Sequence, residues 1–240
     1  MTTVGVAQTA AAKKTDVEHD GLKGKVKRIT ATDYTPVDKL GKITKGEEYP
    51  PSFGHTASEI TVYNTSGYVV SIDVYGSWIT IYKHDHYGRR IEENMYDTDD
   101  STLVFKSIYQ NDAKGNIIEN KHYSDMELTF KYTYTYNEQG YMIESNCYQY
   151  SGHYESWSGR YYRDTVGTLS SKCICKYDDK NNLVETYNTI YENGVVSTIN
   201  KSTYEYTKLD AHGNWAEKIT YVGEANMPIV ITERIIEYYE

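Results

Sequence analysis

At 240 residues the chain has the length of one domain or one repeat array. Its net charge of −9 and pI near 5.3 argue against a nucleic-acid backbone as partner, which calls for a basic stripe, and no apolar run reaches the ~18 residues of a membrane helix. Ile, Val, Leu and Phe number only 45, so the 27 tyrosines must supply much of the core; each can bury its ring and keep its hydroxyl wet.

The first 20 residues differ from the rest. Met1 to Lys14 is small and largely apolar and holds four of the ten alanines. It reads as the tail of a secretory signal peptide, with cleavage after Ala7 or Ala12, or as a plain flexible terminus. Residues 21–240 are then a single β-repeat domain. It opens at Gly21-Leu22-Lys23-Gly24, followed by an alternating edge-like strand over 25–30. Residues 36–55 hold three of the four prolines and read as a long loop.

From Ser58 the pattern is almost entirely strand, at about 58–63, 68–75, 77–84, 89–96, 103–110, 116–123, 128–136, 141–149, 160–164, 169–177, 183–191, 195–208 and 214–222. A last aliphatic strand follows Pro228. No amphipathic helix stands out. Between strands one phrase recurs: Asp112-Ala113-Lys114-Gly115-Asn116-Ile117-Ile118-Glu119 returns as Asp210-Ala211-His212-Gly213-Asn214-Trp215-Ala216-Glu217. Weaker copies start at Asn137 and Asp178, with looser echoes at Asn64 and Asp85. Asp or Asn at the first position bonds the backbone two residues on and starts a turn. Gly three residues later supplies positive φ, and Asn181 stands in for it once. Asn193-Gly194 is a type I′ hairpin signal at the opposite end from these turns.

On these residues the chain resembles the bacterial YD-repeat, or rearrangement-hotspot (RHS), family, whose phrase is Tyr-Asp-x-x-Gly-Asn/Arg-Leu followed by a strand. Tyr177-Asp178, Asn181-Asn182-Leu183 and the Asp112 and Asp210 copies match best, and the likeness covers about residues 60 to 222. It implies stacked hairpins and a bacterial origin. The spacing is uneven, and the chain is too short for the large closed shell that long members build around a toxin.

The expected fold is all-β: a repetitive antiparallel meander of about 14–16 strands in a twisted or partly rolled sheet with open edges. One face must bury something, and Tyr132, Tyr134 and Tyr136 with Tyr82, Tyr109, Tyr204 and Tyr206 are the candidates. The stretch 149–162 interrupts the repeat with an aromatic, Gly/Ser-rich insertion, the kind of loop that carries binding residues. The candidate ligand-binding residues are therefore Trp78, Tyr82, Tyr150, Tyr154, Trp157 and Tyr161.

His84-Asp85-His86 sets two imidazoles on one strand face but has no third ligand in view, so no metal site is assigned. The acids at 92–93, 97–100 and 178–179 read as solvated turn residues, although a glycosidase needs only two well-placed carboxylates. No nucleophile elbow, zinc helix, P-loop or dinucleotide motif is present, so no catalytic residue and no cofactor are assigned. Cys147, Cys173 and Cys175 read as free, partly buried thiols. The functional expectation is an exported bacterial surface or periplasmic binding protein, taking a glycan or peptide and not acting as an enzyme. The alternatives are an assembly module that self-associates through open sheet edges, or a carbohydrate-active enzyme.

Overall fold

The computed structural model describes residues 15–49, 58–74, 76–155 and 160–240. One short helix, α1 (Asp16–His19), precedes seventeen strands. These are β1 (Val26–Lys39), β2 (Lys42–Glu48), β3 (Ser58–Tyr63), β4 (Val69–Val74), β5 (Trp78–His84), β6 (Arg90–Asp97), β7 (Leu103–Asn111), β8 (Ile117–Ser124) and β9 (Glu127–Tyr136). There follow β10 (Met142–Gln149), β11 (Gly152–Glu155), β12 (Arg160–Arg163), β13 (Thr168–Tyr177), β14 (Leu183–Glu192), β15 (Val195–Leu209), β16 (Trp215–Val222) and β17 (Met227–Tyr238).

The strands from β3 onward fall where the alternating pattern places them, except β11, which forms within the insertion expected to be a loop. They do not form an open sheet. β17 pairs antiparallel with β1, from Val26↔Tyr238 to Tyr34↔Ile231, and closes the meander into a 14-strand barrel. β2 hangs from β1 outside the ring, and β11 and β12 pair only with each other. The edges expected to recruit another copy at β1 and β17 are thus paired with one another, which removes them as templates.

The six copies of the repeated phrase explain the curvature. In each, the turn's first side chain caps its own loop: Asp112 Oδ1 accepts from Lys114 N at 2.8 Å and Asn116 N at 2.9 Å. Asp178 does the same with Lys180 and Asn182, and Asp210 with His212 and Asn214. Gly115 sits at φ +91° and Asn181 at +65°, as the turn requires. The strand after the turn then carries one extra residue. Val70, Ile91, Ile118, Ile143, Val184 and Ala216 each fall at a register shift, for example between Gln110↔Glu119 and Asn111↔Ile117. Such a bulge bends the strand and increases its twist. Six of them at one end of a meander roll it up.

The bulge also sorts side chains. The residue before it (Arg90, Ile117, Met142, Leu183 or Trp215) turns into the lumen, and the glutamate after it turns outward to a lysine. Glu92 is held between Lys106 and Lys83 at 2.8 and 2.6 Å, and Glu185 between Lys176 and Lys201 at 2.6 and 3.1 Å. Lysine hydrogen bonds hold both carboxyls down at about 2, from Lys106 and Lys83 for Glu92 and chiefly from Lys176 for Glu185. Glu144–Lys172 and Glu217–Lys208 continue the belt. No helix among the described residues is long and apolar enough to cross a membrane.

Four of the six bulges leave a carbonyl inside that the next hairpin satisfies. Tyr136 donates to Ile117 O at 2.8 Å, Tyr177 to Met142 O at 2.8 Å, Tyr206 to Leu183 O at 2.9 Å, and Asn111 Nδ2 to Arg90 O at 2.8 Å. Tyr136, Tyr177 and Tyr206 are therefore ties between repeats. Tyr177→Phe should cost about 1–2 kcal/mol, the penalty for stranding a half-buried carbonyl, read as a lower urea midpoint with an unchanged slope.

Two further segments depart from the sequence reading. Residues 42–48, expected within a loop, form β2. Pro36 is tolerated in β1 because it lies at a register shift, and Leu40 and Gly41, at φ +57° and +83°, make the two-residue turn. β2 folds over the outer wall, where Ile219 and Ile231 are 5% and 1% exposed, and Lys45 reaches Glu233 at 2.6 Å. Thr15 to Asp20, assigned to the tail, form an integral plug. Thr15 and Glu18 close a capping box on α1, Val17 N donates to Gly67 O, and Val17 and Leu22 join Val26, Ile29, Tyr63 and Val69 in the apolar core. The signal-peptide reading concerns residues 1–14, which lie outside the described residues.

Candidate functional site

Thr15 to Gly24 cross the barrel end that carries the Asp/Asn-x-x-Gly turns. At one side Asp16 Oδ2 accepts from Val69 N at 2.8 Å and from His84 Nε2 at 3.0 Å, while its Oδ1 lies 3.3 Å from Arg90. At the other, Lys23 and Asn214 exchange backbone–side-chain hydrogen bonds at 2.7 and 2.9 Å. The plug fills the β1–β4 half of the lumen and leaves the rest open. The remaining space is a cavity of about 580 Å³, bounded by His19 and Asp20 of the plug and by lumen side chains of β6 to β10 and β13 to β17. That volume lies within the usual range for small-ligand pockets.

The walls are aromatic and cationic. Tyr109, Tyr134, Tyr136, Tyr141, Tyr177, Tyr206 and Trp215 line the cavity together with Arg90, Lys218 and Arg234. Arg90 is held by Asp16 and lies 4.3 Å over Tyr82. Arg234 lies 3.9 Å over the Trp215 ring, and Lys218 sits 5.0 Å from the same ring and 5.2 Å from Tyr204. Burial lowers the pKa of both Lys218 and Arg234. It pushes the Tyr134, Tyr177 and Tyr206 hydroxyls up to about 12, so all three remain donors at neutral pH. Burial raises the Asp20 carboxyl, which accepts from Tyr63 OH at 3.1 Å. Glu93 is raised for the same reason and accepts from Tyr109.

The seven tyrosines expected to share one face do so, on the lumen side, where strand alternation and the closed register bring them together. The candidate ligand residues separate. Tyr82 packs against the core cluster beneath Arg90, and Trp78 occupies the far end of the same strand. The insertion forms the β11–β12 hairpin at the end of the barrel opposite the cavity, with Tyr150 N bonded to Thr129 O at its base. Tyr154 and Tyr161 belong to that hairpin's backbone; their side chains and all of Trp157 lie outside the described residues. Trp215, Lys218 and Arg234 escaped the sequence reading. The only cue was Trp215 at the sixth position of the repeated phrase, where the other copies carry Val, Arg, Ile, Met or Leu.

The two histidines of the His84-Asp85-His86 stretch part company. His84 binds Asp16, and the His86 ring lies 3.6 Å from that of Tyr87 at a 42° tilt. Among the described residues no three His, Cys, Asp or Glu side chains gather as a metal site would require. Cys147, Cys173 and Cys175 are free thiols.

No family model matches the chain, and no curated protein matches it. Among solved structures, the Photorhabdus luminescens Tc holotoxin pore is similar at 13% identity and TM-score 0.33, over 71% of this chain and 10% of that one. A TcdB2–TccC3 complex without its hypervariable C-terminal region is similar at 13% identity and TM-score 0.32, over 73% of this chain and 10% of its own length. A porin-like protein from Bacteroides uniformis is similar at 11% identity and TM-score 0.47, over 95% of this chain and 100% of that one. The chain thus spans a tenth of the toxin structures' length.

Proposed function

We propose that this protein is an exported bacterial binding protein built from YD-like hairpins, which takes a glycan or peptide at the open half of its barrel mouth and does no chemistry on it. The observation that carries this reading is the cavity itself: about 580 Å³, aromatic on most sides, with two cations resting on one indole ring. Aromatic walls with a few convergent polar groups are the usual composition of a ligand pocket. The acids nearest the cavity have structural tasks, Asp16 anchoring the plug and Asp20 holding Tyr63, which favours binding over hydrolysis. The small, alanine-rich start of the chain supports export, and the repeated phrase supports the bacterial reading.

The β11–β12 hairpin, with Tyr150, Tyr154, Trp157 and Tyr161, is proposed as a second contact at the opposite end, on the ground that, among the described residues, it alone forms a sheet separate from the barrel. A glycan and peptide array with the whole protein tests both sites. Trp215→Ala should weaken a lumen ligand at least tenfold, with Trp157→Ala reporting on the hairpin. Ligands that bind equally well to both variants would remove this reading.

A further inference from the structure

Lys218 and Arg234 are the unusual residues of the cavity. Both are largely buried, both point into the lumen, and among the described residues neither has a carboxylate within ion-pair distance. Arg90, by contrast, has Asp16. Arg234 Nε is buried with no hydrogen-bond partner. A cation kept from water without an anion is costly, and folds usually avoid it. Across the lumen, Asn120 lines the same cavity with its amide hydrogen-bonded to the Tyr134 hydroxyl. The space is therefore bounded by Lys218 and Arg234 around an indole on one wall, Asn120 on another, Asp20 and Arg90 at the plug, and tyrosine rings between.

Taking the reading above that this cavity binds a ligand, we infer that the ligand is an acidic saccharide, a pyranose bearing a carboxylate. The carboxylate would sit between Lys218 and Arg234, where a low-dielectric setting strengthens charge-assisted hydrogen bonds. A ring hydroxyl would donate to Asn120, and the ring's apolar face would lie on the tyrosines. A neutral sugar leaves both cations unpaired.

The test uses the full chain with Trp78→Phe and Trp157→Phe, so that Trp215 is the only indole and its fluorescence reports the site. Glucuronate, galacturonate and their disaccharides are titrated against glucose, galactose, the corresponding neutral disaccharides and a short acidic peptide. The acids are expected to change the Trp215 signal saturably, at least tenfold more tightly than the neutral sugars, and less tightly as salt rises. Lys218→Met keeps the apolar stem and removes the unpaired charge. It should leave the melting temperature unchanged or raised while weakening the acids tenfold or more, a combination that a merely structural lysine would not produce. Asn120→Ala should weaken acids and neutral sugars alike. Neutral sugars binding as tightly as acids, the acidic peptide binding as tightly as the uronates, or Lys218→Met leaving acid affinity intact would each overturn the inference and keep the cavity as a binding site. No response to any of these probes would overturn the inference and the binding reading together.

Discussion

A chain carrying Thr30→Cys and Ile235→Cys, with its three native cysteines replaced by serine, is expected to crosslink within one molecule under mild oxidation. Thr30 and Ile235 are direct partners across the β1–β17 seam. Ile235 is 65% exposed, so its replacement leaves little cavity. Directly opposed β-carbons stand about 4.5–5.5 Å apart, close enough for a disulfide after a small adjustment. The bond would close a loop of about 200 residues, worth about 5 kcal/mol in the chain-entropy model, and engineered bridges commonly deliver part of that. Comparing oxidised and reduced protein in guanidinium measures the gain. The open sheet expected from the repeat alone would leave these positions apart, with no intramolecular bond and dimers in its place. The crosslink therefore decides between barrel and sheet.

Removing the plug's anchor should have the second large effect. Asp16 satisfies Val69 N, His84 and Arg90 together while only 15% exposed. Asp16→Asn leaves Arg90 without its anion, and breaking such a pair from one side costs about 3 kcal/mol. The pH profile gives the sign. Burial pushes the Asp16 carboxyl up, but the hydrogen bond from His84, the charge of Arg90 and the Val69 N–H outweigh it, and its folded pKa is lowered. Its contribution is thus fully present above the unfolded carboxyl pKa of about 4 and is lost as pH falls through the lowered folded value. Asp20 runs the other way. Burial raises its pKa, so the folded chain holds that proton more tightly and loses stability as pH rises from about 4 through the raised value. Asp16→Asn should flatten the acid limb of stability against pH. Asp20→Asn, which still accepts from Tyr63, should cost nothing at pH 7 or raise stability there. Urea midpoints from pH 3 to 8 read both, and an unchanged acid limb in Asp16→Asn would sink the anchor assignment.

The two predictions bear on opposite sides of what could be read in advance. Local chemistry was legible in the sequence. Asp112, Asp178 and Asp210 cap their turns by hydrogen bonds reaching two and four residues along the chain, and Gly115 needs its φ wherever the chain goes. Lys131 to Tyr136 alternates because a strand has a period of two. The tyrosines declared a buried face for the same reason. All of these depend on interactions within about ten residues, which composition and spacing record directly.

Closure, plug and cavity depend on residues roughly 50 to 210 positions apart. No local pattern marks Val26 as the partner of Tyr238. The sum of six bulges, each a single extra residue that could pass for an ordinary strand position, brings those ends together. Once the barrel closes, the tyrosine face becomes a lumen. Thr15 to Asp20, which looked like a tail because a four-residue helix has no periodicity to show, becomes part of a plug, since Asp16 meets partners on β4, β5 and β6. The insertion at 149–162 was conspicuous for breaking the repeat. The cavity stayed hidden because its lysine, arginine and tryptophan keep to the repeat and meet only across β16 and β17. What the sequence determined alone is the strands and turns, set by alternation and by the torsional demands of single residues. What only the tertiary structure decided is which face is inside, because that is settled by long-range pairing whose energy belongs to no local segment.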